Sequence, residues 1–127
     1  QKGVSDVMTF TGKVEYRDAP LYLSLGEIAV APKMSATEGS GKVLNYMAMA
    51  QPVVAYDTAV HREYLADLGV YAPAGDVAAF TDALRRLIHD PAERAALGAR
   101  LRRRAAEVYS WSEASRRITA VYERLTS

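Results

Sequence analysis

The chain has 127 residues, half of them apolar, and its 16 lysines and arginines nearly balance 15 aspartates and glutamates. This length and composition predict one domain with a hydrophobic core, and the near-zero net charge argues against a general nucleic-acid-binding protein. The chain contains no cysteine, which excludes disulfides, thiolate catalysis and cysteine-based zinc sites.

The sequence has neither the pattern of a membrane span nor that of a secretory signal. No apolar run approaches the roughly 20 residues that a membrane-spanning helix requires. Residues 1–6 are polar, and no long apolar stretch follows them. We therefore expect a soluble cytoplasmic domain.

Strand patterns alternate with helical patterns as far as residue 72. The continuous apolar character of residues 53–56 is typical of a parallel strand that is covered on both faces. The predicted strands are 7–11, 27–31, 53–56 and 70–72, and the predicted helices are 16–25, 41–50 and 59–68. This alternation predicts an α/β fold with a parallel sheet.

After Pro73 only helical patterns remain, so residues 74–127 are predicted to form a helical tail of the same domain. Asp76 is placed to cap the first tail helix. The segments 90–93 and 110–113 have the pattern of capping boxes and predict the starts of two further helices. The apolar side chains expected on one face of the last helix are Ile118, Tyr122 and Leu125.

Two features predict that the chain is part of a larger unit. It begins with glutamine, and a strand pattern starts within a few residues, as if the chain entered an α/β domain midway. Four strands are also few for a stand-alone doubly wound domain. We expect the sheet to be completed by further residues of the protein or by another copy in a homo-oligomer, because open strand edges favour pairing.

The most informative segment is the glycine-rich stretch 38–45, which leads directly into a predicted helix. The backbone N–H groups at a helix N-terminus carry about half a positive charge and bind phosphate. Glu38 before the turn and Asn45 in the helix are placed to bind hydroxyls on either side of that phosphate. The pattern predicts a site for a sugar nucleotide, although an ordinary tight turn before a helix fits the composition equally well.

Better-known phosphate loops do not fit this segment. A Walker loop requires glycine at position 36 and Ser or Thr at position 43, where the chain has Ala36 and Val43. A dinucleotide-binding fingerprint requires a third glycine at the position of Leu44. Both kinds of loop are therefore excluded.

Motifs along the whole chain resemble one known family of enzymes. Residues 7–14, then 29–32, then 38–48 with 52–55 resemble the carboxy-terminal, nucleotide-sugar-binding domain of retaining GT-B glycosyltransferases of the family 4 group (glycosyl transferases group 1). The tail segments that fit the same family are 75–76, 84–90, 109–111 and 122–125. The resemblance implies a Rossmann-like parallel sheet, half of a GT-B fold truncated at its N-terminus, with residues 1–127 forming part of a donor-binding domain.

The resemblance also implies roles for individual residues. Glu38 is implied to be the catalytic-site carboxylate that binds hydroxyls of the transferred sugar. Asn45 stands where the family has a second carboxylate, which holds the ribose, and the loop is one residue shorter than usual. An amide lacks the charge assistance that roughly doubles the strength of such a hydrogen bond, so weaker or altered nucleotide binding is expected. The other implied donor contacts are Gly12, Lys13 and Val14 towards the base, and Gly39, Ser40, Gly41, Lys42, Val43 and Leu44 towards the phosphates and sugar.

The implied function is the donor-binding part of a hexosyltransferase that moves a sugar from a nucleoside diphosphate to an acceptor hydroxyl. The acceptor site, expected in an N-terminal domain, and the family's diphosphate-clamping basic residues are not found in this sequence, so the chain alone is expected to be inactive. Because there is no Asp-x-Asp pair and no histidine cluster, we expect no metal and no cofactor besides the donor substrate. Two alternatives stay open: a non-catalytic α/β interaction module with a decayed nucleotide site, and a GT-B-fold sugar-nucleotide epimerase.

Several conspicuous side chains are expected to be structural. We expect His61 on the surface of a helix, Trp111 packed at the start of the last helix, and Met47 and Met49 as core filler. The arginine-rich helix face within residues 94–104 is interpreted as solvated. The alternative is a lipid-headgroup patch, which would place the protein peripherally at the inner face of the membrane.

Overall fold

The structure, a computed structural model, describes residues 3–35 and 37–126. Strands and helices alternate as far as residue 72, and only helices follow in the described residues, as predicted. The strands are β1 (Ala29–Ala31), β2 (Val53–Tyr56) and β3 (Val70–Ala72). The α-helices are α1 (Ala19–Ser24), α2 (Gly41–Ala48), α3 (Ala59–Leu65), α4 (Val77–His89), α5 (Pro91–Val108) and α6 (Trp111–Thr126). Short 3-10 helices cover Ser5–Val7, Tyr16–Asp18 and Ala66–Leu68.

The sheet is parallel and lies between two groups of helices. Within the described residues it has three strands in the order β1–β2–β3. Every residue of the central strand β2 is buried, because helices cover both of its faces. Val53 and Ala55 belong to the core formed with α2, α3 and α5, whereas Val54 and Tyr56 belong to the core formed with α4. The predicted α/β fold with a helical tail is confirmed.

The predicted strand at residues 7–11 is wrong. Ser5–Val7 is a 3-10 helix, and residues 8–15 have no regular secondary structure. A strand is stable when it pairs with a neighbour and packs its side chains. No strand of the described ranges pairs with this segment, and Val7 and Phe10 are exposed. The β-branched and aromatic composition is therefore not sufficient to form a fourth strand.

Side-chain caps fix the starts of the tail helices at the predicted positions. Asp76 and Asp90 each accept a hydrogen bond from the backbone amide three residues on, at 2.9 and 2.8 Å. Ser110 accepts the equivalent bond at 3.2 Å. Such caps stabilise a helix by about 1 kcal/mol each. Of the two bonds of the first capping box, only the one from the Glu93 amide to the Asp90 side chain forms. The Glu93 carboxylate instead binds Arg86 at 3.1 Å.

Two side chains lie elsewhere than predicted. His61 is buried, because it shares the inward face of α3 with Leu65, and its Nδ1 lies 2.8 Å from the carbonyl oxygen of Tyr56. Trp111 is 92% exposed rather than packed, since no element of the described chain covers that side of α6. Met47 fills the core as predicted. The side chains expected on the apolar face of α6 are exposed too: Ile118, Tyr122 and Leu125.

A close backbone approach sets the position of α2 against α5. A Cβ atom on Gly98 of α5 would lie 2.0 Å from the carbonyl oxygen of Ala50. Ala50 follows the end of α2 and has a φ of +57°, in the left-handed region. The helix that follows the glycine-rich turn is therefore held by contact with α5 backbone, which leaves no room for a larger residue at position 98.

Candidate functional site

The glycine-rich turn lies at the carboxyl end of the sheet. β1 ends at Ala31, and the chain runs through Lys33 and Glu38 before α2 begins at Gly41. Because β1 and β2 are parallel, the loops that follow them lie at the same edge. Open parallel sheets bind ligands at this edge, so the turn occupies a position suited to a binding site.

Glu38 is held at the turn by Lys33. Its Oε2 lies 2.7 Å from Lys33 Nζ, and the same Nζ donates a hydrogen bond to the carbonyl oxygen of Gly39 at 3.3 Å. Hydrogen bonding and charge attraction from Lys33 lower the pKa of the Glu38 carboxyl. The side chain is nevertheless 73% exposed. The turn therefore presents a charged carboxylate that solvent, or the hydroxyls of a ligand, can reach.

The backbone amides at the start of α2 are open. In the ranges that the structure describes, no acceptor binds the amides of Gly39, Ser40, Gly41 or Lys42. Ser40 is the N-cap residue, but its hydroxyl makes no capping bond and is buried without a partner among the described atoms. Amides at such an end attract anions. Gly39, Gly41 and Lys42 are exposed, whereas Ser40 is buried, so the three exposed residues present the accessible amides.

Tyr64 of α3 lies close to the turn at Gly39. Its hydroxyl lies 3.4 Å from the position that a Cβ on Gly39 would take. The Tyr64 ring packs edge-to-face on Tyr109 with centroids 5.7 Å apart, and Arg104 Nε donates to the Tyr64 carbonyl oxygen at 2.8 Å. The sequence pattern does not predict these contacts, because α3 and α5 come close to the turn only in the folded chain.

A groove of about 510 Å³ runs along α2 from its first turn. On the α2 side it is lined by Gly41, Leu44, Asn45 and Ala48, and on the other side by the end of α5 and the start of α6. A smaller apolar pocket of about 130 Å³ adjoins it between α1 and α2, and Asn45 lines both. The arrangement offers an amide side chain between an apolar pocket and an open helix N-terminus.

The groove brings together only some of the residues predicted to bind a donor. Gly41, Leu44 and Asn45 line it, whereas Val43 is buried and its amide donates to the Ser40 carbonyl oxygen at 2.8 Å. Glu38 lies on the preceding turn and does not line the groove. The predicted residues that also do not line it are Gly39, Ser40 and Lys42 at the turn, and Gly12, Lys13 and Val14 in the irregular segment before α1.

Eight of the eleven residues that line the groove were not predicted as site residues, among them Tyr16, Arg102 and Trp111. Tyr16 and Trp111 line it with side chains that are 85% and 92% exposed, and Arg102 of α5 lines it as well. Tyr16 stands in the 3-10 helix before α1, and Arg102 lies in the arginine-rich segment that the sequence indicated as solvated. The motif at residues 38–45 does not contain them, because they come from distant segments of the chain.

Among residues 3–35 and 37–126, no group of three or more His, Asp or Glu side chains is arranged to hold a metal ion. No helix in the described part of the chain has the length and apolar character needed to cross a bilayer.

The fold is the Rossmann-like half of a GT-B fold. The structure matches sucrose-phosphate synthase from Thermosynechococcus elongatus with a TM-score of 0.87 at 24% sequence identity. The match covers 97% of this chain and 31% of that one. The likeness extends over the sheet and the helical tail, so it confirms the fold expected from the motifs.

The sequence defines the family. Residues 1–90 match the family described as glycosyl transferases group 1, and the chain belongs to this family. It is 34% identical to an MMP alpha-(1->4)-mannosyltransferase of Mycolicibacterium hassiacum, over 96% of this chain and 30% of that protein. It is 32% identical to a phosphatidyl-myo-inositol mannosyltransferase of Mycobacterium leprae (95% and 33%) and 29% identical to an alpha-D-kanosaminyltransferase of Streptomyces kanamyceticus (98% and 32%). The chain spans about a third of the length of these curated relatives.

Proposed function

We propose that the chain is the donor-binding part of a retaining glycosyltransferase that transfers a sugar from a nucleoside diphosphate to an acceptor hydroxyl. Membership of the glycosyl transferases group 1 family supports the reaction class. The observation that carries the donor-binding role is the turn itself. It combines the exposed Glu38 carboxylate with open amides at the start of α2, which suits a ligand that carries both hydroxyls and a diphosphate.

The open amides are proposed to stabilise the departing diphosphate. When the glycosidic bond to the diphosphate breaks, negative charge grows on the phosphate oxygens. Amides that already point to that position need no reorganisation, and such fixed dipoles supply a large part of catalysis in many enzymes. The α2 dipole acts in the same direction.

Glu38 is proposed to hold the sugar while the bond breaks. Lys33 favours the charged form of the carboxylate and ties it to the carbonyl of Gly39. A charged acceptor forms stronger hydrogen bonds to hydroxyls than a neutral one. Lys33 therefore keeps the Glu38 carboxylate charged and also fixes its position.

Asn45 is proposed to bind the ribose hydroxyls from within the groove. It lies one helical turn after Gly41, on the same side of α2, next to the small apolar pocket. The base would enter that pocket while the phosphates reach the helix N-terminus. Since Asn45 is neutral, the nucleoside is expected to be bound more weakly than by a carboxylate. Together with the shortened loop and the missing parts of the enzyme, this favours the alternative, a non-catalytic module with a decayed nucleotide site.

The complete protein is proposed to be of the hexosyltransferase type, with its acceptor site on a second domain. The chain spans about a third of its curated relatives, whose names describe sugar transfer. Since a transferase needs both substrates in contact, residues 1–127 alone are expected to bind donor without transferring it.

Calorimetric titration of the full-length protein with UDP-glucose and GDP-mannose tests the proposal. We expect one of the two to bind and Glu38→Gln to weaken it roughly tenfold, as for the loss of hydrogen bonds to a charged group. Glu107→Gln, which removes the same charge from an exposed position on α5, is the matched control and should bind as the unaltered protein does. Absence of binding by either donor, or full affinity after Glu38→Gln, would contradict the proposal.

A further inference from the structure

The arginine-rich segment of α5 is not one uniform solvated face. Arg104 binds the carbonyl oxygens of Tyr64 and Glu63 at 2.8 and 3.0 Å. Arg100 lies 3.7 Å from Asp67. These two side chains therefore have structural partners on and after α3.

Arg102 and Arg103 point to different sides of α5. Successive residues of an α-helix are separated by about 100° around its axis. Arg103 accordingly lines a different pocket, together with Asp67 and Glu107. Arg102 lines the groove along α2, and the described residues offer it no ion-pair partner.

The charge of the groove is therefore carried by Arg102. Of the described residues that line the groove, Arg102 alone has an ionised side chain. Gly41, the first residue of α2, lines the same groove, so the positive end of the helix dipole adds to the field. A concave surface with a free guanidinium, a helix N-terminus and no carboxylate attracts anions.

The other lining side chains indicate what kind of anion fits. Tyr16 and Trp111 present exposed aromatic faces, which stack on flat ring systems. Asn45 offers both a hydrogen-bond donor and an acceptor for hydroxyls. A phosphate ester that also carries an aromatic ring and hydroxyls matches all of these groups, whereas a simple inorganic anion uses only Arg102.

We propose that Arg102 binds a phosphate group of the nucleotide donor. This rests on the proposed function, and it adds a residue that the motif at 38–45 does not contain. The guanidinium supplies a charged contact across the groove from Gly41, the first residue of α2. Arg102 would thereby serve as one of the basic residues that neutralise the diphosphate.

Calorimetric binding of UDP and GDP to the full-length protein and two variants tests this role. Arg102→Gln should weaken binding of the preferred nucleotide roughly tenfold, as expected for a charge-assisted hydrogen bond, and should reduce the sensitivity of binding to salt. Arg103→Gln removes the same charge from the next residue and should change the affinity less than twofold. Unchanged thermal unfolding of both variants excludes misfolding as the cause.

The outcomes separate this inference from the proposed function. If the unaltered protein binds UDP or GDP and Arg102→Gln binds equally well, the role of Arg102 is wrong and the proposed function stands. An equal loss in both variants would mean that the general charge of α5 acts rather than a contact in the groove, which also overturns the inference. If the unaltered protein binds neither nucleotide, both the proposed function and this inference fail.

Discussion

The contact between Gly98 and Ala50 predicts that Gly98→Ala destabilises the fold. The new Cβ would lie 2.0 Å from the Ala50 carbonyl oxygen and 2.9 Å from its carbonyl carbon. An ordinary contact of 3.4 Å is reached only if the two backbones separate by about 1.4 Å, since neither atom can rotate away. That shift would loosen the core between α2 and α5, which includes the buried Met47 and Leu101.

The cost follows from two opposing effects. Overpacking of a core costs about 1–3 kcal/mol, and a clash with backbone belongs at the upper end. Alanine is about 1 kcal/mol more favourable than glycine within a helix, which offsets part of this. The net expected loss is about 2 kcal/mol, or roughly 6–10 °C in Tm for a chain of this size.

Thermal unfolding of the 127-residue chain, followed by circular dichroism, measures this loss. The control is Ala99→Gly at the next, exposed position of α5, which should cost only the helix propensity of about 1 kcal/mol. If Gly98→Ala unfolds at the same temperature as the unaltered chain or higher, the close approach of α5 to Ala50 is wrong. The position of α2, and with it the geometry of the turn, would then need revision.

The remaining predictions concern Ala50 and Glu113. Ala50 has a φ of +57°, which costs a non-glycine residue about 1 kcal/mol. Ala50→Gly should therefore raise the free energy of unfolding, measured in urea, by up to about 1 kcal/mol. A lower free energy of unfolding in this variant would contradict the prediction. Glu113 accepts hydrogen bonds from Arg116 and Arg117 at 2.6–2.8 Å, which lower its pKa to about 2. Because the folded pKa lies below the unfolded one, these pairs stabilise α6 above the unfolded pKa, and their contribution is lost as the pH falls towards 2. An NMR titration of the Glu113 carboxyl should have its midpoint near 2 and move towards 4.5 in Arg116→Gln; a midpoint near 4.5 in the unaltered chain would refute the pairing.

The sequence predicted those elements whose signals are local. Asp76 and Asp90 mark helix starts because a cap depends only on the next three residues. The apolar run of β2 predicts a buried parallel strand because both faces must be covered. The run at residues 7–11 has equally suitable composition, but a strand also depends on a partner that composition does not specify.

His61 was predicted on the surface although its spacing contained the opposite signal. It lies four residues before Leu65, so both fall on one face of α3. That face is buried. The residue type suggested exposure, whereas the helical period indicates burial, and the period is correct.

The candidate site also combines features that the sequence predicts with contacts that it does not predict. The turn is formed by consecutive residues, and α2 begins at Gly41 as the sequence predicts. Tyr64 beneath the turn and Arg102 across the groove belong to helices that meet α2 only in the folded chain. A single sequence contains no signal for such contacts.

The central claim is that the amides of the turn bind the diphosphate of a nucleotide sugar. Amide chemical shifts of the full-length protein, recorded with and without UDP-glucose and GDP-mannose, test it most directly. We expect the largest changes at Gly39, Ser40, Gly41 and Lys42, with smaller changes at Asn45. Saturable binding that leaves these four amides unchanged would contradict the claim.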